Sequence, residues 1–258
     1  MKSDIQPFRM YGNLFFVGSS KVSVHIIKTT VGLVMIDTGY PCMYEQILGS
    51  MQELGLDVRD ICAIFHSHGH IDHFGCTLRL LQQCNARTYI SCIDNEIVNG
   101  HRDLSWAKEL HLEREQPFNC DVLIEDGDSF AFGDTTVRCR LTPGHTDGVL
   151  SFFVNVEENG KTAIAAMHGG VGMNTFKAEY LLENGLSFDC REIFRQGLHL
   201  LAEEKVDIVM GNHPGQSYTV EKLQKVQNGE SIVDASEWKR FLLETEAKLD
   251  ATIASEKV

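Results

Sequence analysis

The chain has 258 residues, with 36 acidic side chains against 23 basic ones and a formal net charge of −13. So acidic a surface repels phosphate backbones and anionic lipid, which argues against a nucleic-acid or membrane partner and leaves a small-molecule substrate. No apolar run approaches the roughly 18 residues that a membrane span requires, and the first residues carry no secretory signal pattern, so a cytoplasmic protein is expected.

The stretches "NLFFVG", "VSVHIIKT" and "GLVMIDTG" open the chain as strands, rich in β-branched and aromatic residues and punctuated by glycine. Residues 44–54 follow as a helix, with Ile47, Leu48, Met51 and Leu54 at helical spacing. "DICAIF" then reads as a buried strand running straight into "HSHGHIDHFG". Beyond it, "CTLRLLQQCN" is helical and "RTYISC" is a strand. Residues 95–116 are polar, and "DLSWAKELHLEREQ" scans as an amphipathic helix, so a helical insertion is expected around residues 95–118. On it, Trp106, Leu110 and Leu112 could lid a site or touch another subunit of a homo-oligomer, but an ordinary packed helix is the expectation.

"VLIEDGDSFAFGDTTVRCRLTPGH" holds two or three strands, and "VLSFFVNV" and "TAIAAM" resume the pattern. A helix around residues 191–204, the strand "VDIVMG" and helical segments from residue 218 onward complete the chain. With no linker or low-complexity tract, one domain over residues 1–258 is expected. Each half supplies strands and then helices, which most simply makes two sheets face to face with helices outside, an α/β four-layer sandwich. The eight cysteines show no CxxC pair and are expected as buried free thiols.

His68 and His70 lie two apart just past a strand and can point the same way. Asp72 and His73 follow where the chain turns into a helix, so H-x-H-x-D-H suits two neighbouring metal ions, one taking His68 and His70 and the other Asp72 and His73. Imidazole and carboxylate donors without cysteine suit zinc, manganese or non-haem iron. His145 in "LTPGHTDG" and His213 in "DIVMGNHPG" each follow a strand and complete three histidines for one ion and an aspartate with two histidines for its neighbour. His66 is out of register for a first ligand and is expected at the strand end or behind the ligands. His25, His101, His111 and His199 are expected to be structural. Asn212, Gln216, Ser217 and Tyr218 flank His213 and are candidates to face substrate.

In order, "MIDTG", "SHGHIDH", "TPGH" and "GNHPG" resemble the motifs of the metallo-β-lactamase fold superfamily, over about residues 13–217. The resemblance implies an αβ/βα sandwich, with His68, His70 and His145 on the first metal and Asp72, His73 and His213 on the second. It also implies hydrolysis by a metal-activated hydroxide acting on an ester, lactone, lactam, other amide or phosphoester. Zinc is the expected metal, Asp72 also orients the nucleophile or passes on its proton, and an iron-dependent redox enzyme is the alternative. Asp37 matches an aspartate that supports the ligands from behind, unless it only forms the turn before Gly39.

The pattern breaks at "TAIAAMHGG", where many members carry a metal-bridging aspartate. Here stands His168, a candidate catalytic residue that could bind one metal, contact substrate or hydrogen-bond within its loop. An imidazole cannot bridge two ions as a carboxylate does. This departure disfavours glyoxalase II, the homoserine-lactone lactonases and the persulfide dioxygenases. It leaves the third subclass of metallo-β-lactamases as the most similar ligand pattern.

Overall fold

The computed structural model describes residues 4–113 and 115–256. The ends of the expected 1–258 domain, and Arg114 within the expected insertion, lie outside the described residues. Seven strands form the first sheet in chain order: β1 (Phe8–Tyr11), β2 (Leu14–Phe16), β3 (His25–Thr29), β4 (Gly32–Ile36), β5 (Ile61–Phe65), β6 (Arg87–Ser91) and β7 (Val122–Ile124). Strands β1 to β4 pair antiparallel, and β4 to β7 pair parallel. The second sheet is built from β8 (Ser129–Phe132), β9 (Thr135–Leu141), β10 (Leu150–Glu158), β11 (Lys161–Met167) and β12 (Ile208–Val209), in the order β12-β11-β10-β9-β8. Only β11 and β12 run parallel in it.

The period-two alternation of the strands sorts side chains into layers. In β4, Val34 and Ile36 enter the core between the sheets, while Leu33 and Met35 pack outward on Ile47 and Met51 of α1 (Tyr44–Glu53). In β10, Phe152, Val154 and Val156 face the same inter-sheet core. Phe153 points outward to Phe194 and Leu198 of α6 (Cys190–Leu201) and Trp238 of α8 (Glu237–Ser255). The result is the four-layer αβ/βα sandwich read from the sequence. Phe65 of β5 stacks on Tyr89 of β6 at 4.3 Å and meets Phe152 of the other sheet edge-on at 5.7 Å, knitting the halves together.

Strand direction places the site. The parallel strands β4, β5 and β6 all end at one sheet edge, delivering there Asp37, the histidine loop and α4 (Cys92–Val98). In the second sheet β9, β11 and β12 run the same way as one another and deliver His145, His168 and His213. Loops beyond the carboxyl ends of such strands are where ligands bind in α/β folds. Two crossing bonds hold the edges together: the Leu150 amide donates to the Ser67 carbonyl and the Ser23 amide to the Asn212 carbonyl, both at about 2.9 Å or less.

Several expectations change. Residues 103–113 contain no helix, only a turn over residues 107–111. Trp106 and His111 take left-handed backbone, and the Ser105 carbonyl accepts from Ile71, which ends helical hydrogen bonding before it starts. The helix of that region is α4, and it stops at Val98. "CTLRLLQQCN" is helical only in α3 (Thr77–Leu81), which follows the single turn α2 (Ile71–Phe74). The C-terminal run divides into α7 (Thr219–Gln227) and α8, parted at Gly229 with its φ of +73°. Strand β1 and the short α5 (Ala178–Glu183) carry too little periodicity to be read in advance. All eight cysteines are free, but only Cys76, Cys120 and Cys139 are buried.

His25 is buried in β3 edge-on to Phe16, and neither ring nitrogen has a partner among the described residues. Burial pushes its pKa down to about 4. A depressed folded pKa means that stability is intact above the ordinary value of 6.5 and is lost as pH falls through the window down to about 4. His25→Leu is therefore expected to raise the melting temperature, and by more at pH 5 than at pH 8. An equal shift at both pH values would show that His25 does not titrate this way.

Candidate metal centre

The six residues singled out as ligands converge as two triads. The donor atoms of His68, His70 and His145 lie within 4.8 Å of one another, and so do those of Asp72, His73 and His213. His68 Nε2 is 3.0 Å from His70 Nδ1, which is in turn 3.1 Å from His145 Nε2. Asp72 Oδ2 lies 3.4 Å from His73 Nε2 and 3.6 Å from His213 Nε2. The His68 and His73 rings, one from each triad, are 4.3 Å apart between centroids, so the two sites adjoin.

Whether these atoms suit a cation depends on where the ring protons are, and the outer partners decide that. Ser67 Oγ donates to Asp37 Oδ2 at 2.8 Å, so it accepts from His68 Nδ1 at 3.1 Å. His73 Nδ1 donates to Asp37 Oδ2 at 2.7 Å, and His213 Nδ1 donates to the Lys21 carbonyl at 2.6 Å. His145 Nδ1 faces the Gly172 carbonyl and Thr175 Oγ1, both at 2.9 Å. In all four rings a proton sits outside on Nδ1 and Nε2 turns inward, as a bare lone pair in His68, His145 and His213. Lone pairs aimed at one another repel unless a positive charge lies between them. His70 offers Nδ1, and its buried Nε2 has no partner among the described residues.

The electrostatics agree. Burial keeps His68 and His70 far below the ordinary imidazole range and takes His145 down to about 4. Burial also opposes charge on His73, but Asp72 and Asp37 on either side outweigh it and hold this ring up at about 10. Burial would raise the Asp72 carboxyl, yet His73, His213 and His70 keep it below the usual carboxylate range. The second triad thus demands a positive charge beside its carboxylate, and the first excludes protons from its lone pairs. Both are conditions that a divalent cation fits.

Asp37 proves to be more than a turn residue. It takes a φ of +59°, a backbone region Asp tolerates better than most. Its Oδ1 accepts from the Ser67 amide at 2.7 Å, while Oδ2 serves Ser67 Oγ and His73. One carboxylate therefore orients a ligand from each triad. His66 lies behind them, its nitrogens facing the His73 carbonyl and Thr77 Oγ1.

His168 stands outside both triads, and its buried Nε2 has no partner among the described residues. Its Nδ1 accepts from the Gly170 amide at 3.2 Å, its ring packs 5.5 Å from Phe194, and burial lowers its pKa to about 3. The glycines after it let the loop close over His145: a Cβ on Gly170 or Gly172 would come within 3.0 Å of that ring. The residues flanking His213 also serve the loop. Asn212 donates to the Gly169 carbonyl, Ser217 Oγ accepts from the Gly211 amide, and Gln216 Oε1 accepts from the His213 amide. Tyr218 is exposed and bonds Glu244. Of the histidines expected to be structural, His101 and His199 pair at the surface with Glu96 and Glu246.

A cleft of about 160 Å³ opens onto the triads, walled by Tyr40, Trp106, Leu110, Gly172 and Asn174. Trp106 lies 5.8 Å from the His70 ring and 5.4 Å from Tyr180. Tyr40 and Leu110 also line a neighbouring groove of about 380 Å³ with Met43 and Leu112. The segment expected to be an ordinary packed helix thus overhangs the site as a turn. Asp94, Ser67 and Lys21 were not legible in advance: each acts through a backbone group or a single hydroxyl.

Comparison with known proteins bears on the family and the fold. Residues 17–158 match the model of the family described as the metallo-beta-lactamase superfamily. The structure superimposes on a subclass B3 metallo-beta-lactamase of Bradyrhizobium japonicum with a TM-score of 0.89, covering 99% of this chain and 96% of that one at 22% identity, a likeness of fold. An uncharacterized protein of Aquifex aeolicus is 29% identical over 143 residues, 54% of this chain and 62% of that protein. A hydroxyacylglutathione hydrolase of Crocosphaera subtropica is 27% identical over 120 residues, 46% of this chain and 38% of that protein. The chain thus spans less than two thirds of the length of these curated relatives. With the family match covering more than half of the chain and the fold shared end to end, the chain belongs to the metallo-beta-lactamase superfamily.

Proposed function

We propose that the chain is a dinuclear metal-dependent hydrolase of small carbonyl compounds, meaning esters, lactones or amides such as β-lactams, with zinc as its metal. The observation that carries this reading is the pair of adjoining triads, in which four of the five imidazoles are held by outer partners at Nδ1 and turn Nε2 inward. Five imidazoles and one carboxylate, with no thiolate, are donors suited to zinc. The activities named for the Crocosphaera and Bradyrhizobium proteins point the same way.

Divalent cations held by His68, His70 and His145 and by Asp72, His73 and His213 would supply Lewis acidity and bring the pKa of water towards about 7. The remaining steps belong to the chain. Asp72 turns Oδ2 to His73 and His213, which leaves its second oxygen to take the proton of the attacking water. Burial, with Asp72 and Cys42 nearby, pushes the Tyr40 phenol up to about 12, so it stays protonated as a donor for the oxyanion that develops on the carbonyl. Trp106 and Leu110 give the cleft an apolar wall. Among the described residues no lysine or arginine lines it, so carbonyl substrates are favoured over phosphoesters.

The test is metal content by plasma mass spectrometry on protein purified without chelator, followed by a panel of ester, lactone, β-lactam and phosphodiester substrates. About two zinc ions per chain are expected, with turnover of a carbonyl class that chelation removes and zinc restores. Iron-loaded protein that consumes oxygen and hydrolyses nothing on the panel would overturn the reading.

A further inference from the structure

We propose that Asp94 is a positioning residue that sets the geometry of the His68, His70 and His145 triad and leaves the other triad untouched. The proposal rests on the reading of the two triads as metal sites.

Asp94 is fully buried in the first turn of α4, where its amide donates to Ser91 Oγ at the helix start. Its Oδ2 accepts two hydrogen bonds, from the Gly69 amide at 2.8 Å and from Thr146 Oγ1 at 2.6 Å. Gly69 lies between His68 and His70, and Thr146 directly follows His145. A single carboxylate oxygen therefore ties together the two loops that present the whole triad, one from each half of the sandwich. On its far side, Gly148 leaves no slack: a Cβ there would lie 2.4 Å from Asp94 Oδ1 and 2.3 Å from Ser91 Oγ.

The chemistry of the site makes this more than packing. A carboxylate out of water with no basic partner is costly to keep, and burial indeed raises this carboxyl to about 6. Its hydrogen-bond donors are neutral groups, the Gly69 amide and the Thr146 hydroxyl, both on Oδ2, while the buried Oδ1 has no partner among the described residues. Neutral donors give such a group direction rather than charge neutralisation. Among the described residues none of its hydrogen bonds reaches Asp72, His73 or His213. Asp37, by contrast, serves His73 directly and His68 through Ser67. The two buried aspartates thus divide the work: Asp37 couples the triads, and Asp94 sets the spacing of one.

The experiment titrates metal-free protein with Co(II), follows its visible absorption, and assigns each binding step with His145→Ala and His213→Ala. In the wild type two steps are expected. In Asp94→Ala the step that His145→Ala removes should weaken by about 10–100-fold, while the His213-dependent step holds. Asp94→Asn, which keeps an acceptor oxygen, should fall between them. Thr146→Val should shift the same step and Thr146→Ser restore it, which keeps the test open should Asp94→Ala fail to fold. Equal weakening of both steps, or a lower melting temperature with both affinities intact, would make Asp94 a packing residue only. A wild type with no His145-dependent step would overturn the metal-site reading itself, and this proposal with it.

Discussion

Asp37→Asn is expected to cost about 10²- to 10⁴-fold in kcat/KM and to release metal, while leaving the metal-free protein folded. The substitution keeps size and shape. Asparagine can still accept from the Ser67 amide with its oxygen, but its amide nitrogen then occupies the place of Oδ2. There it meets Ser67 Oγ and His73 Nδ1, both of which now donate. Two donors cannot bond, so His73 can keep its ring proton only on Nε2, the atom beside Asp72, where a metal would need the lone pair. Ser67 must turn as well, which loosens His68. Zinc content and kcat/KM, measured beside the melting temperature of the metal-free protein, check this directly. Wild-type zinc and turnover would mean that something other than Asp37 sets the His73 tautomer.

The largest expected effect on stability is at Lys222→Met. The Lys222 ammonium is buried and donates to the Val209 carbonyl, the Ser217 carbonyl and Glu237 Oε1. Burial pushes the lysine's pKa down and the glutamate's up, and their mutual attraction opposes both shifts. Removing one partner strands the other's charge, which costs about 3–5 kcal/mol in buried pairs. At this chain length that is a fall of about 10 °C in melting temperature. The same ammonium joins the end of β12 to the loop that carries His213, so the His213-dependent metal step should weaken too. Adding Glu237→Gln should return part of the melting temperature, because it removes the stranded charge. A single substitution that melts like wild type would show that the ion pair contributes no net stability.

Different parts of the molecule were legible to different degrees, for physical reasons. The ligands could be read because metal binding concentrates a rare residue type: four histidines within eight residues, with two more after glycine-flanked strands. The layers could be read because strands such as β4 and β10 alternate cleanly between two cores. The stretch from residue 103 to 116 misled, since its helical periodicity is local while its structure is tertiary. Trp106 is drawn between His70 and Tyr180, and the Ser105 carbonyl is taken by Ile71. His168 also follows a strand, as His145 and His213 do, but its loop folds back through Gly170. Asp94 and Lys21 escaped notice because one bonds an amide and a hydroxyl far along the chain, and the other offers only its carbonyl.

The way the loops are shared between halves has a consequence in time. His145 is held by Gly172 and Thr175, so the first triad is complete once those residues have joined the second sheet. The second waits for His213 to reach back across 192 residues to Lys21. Ribosomes add about 5–20 residues per second, so a growing chain passes through seconds in which one triad can be assembled and the other cannot. On the reading of the triads as metal sites, a cation arriving then meets a centre that lacks only His213 of its six donors. Loading during synthesis and loading of the finished protein are therefore different chemical competitions, and the metal found in cells need not be the one the completed centre would choose in a test tube.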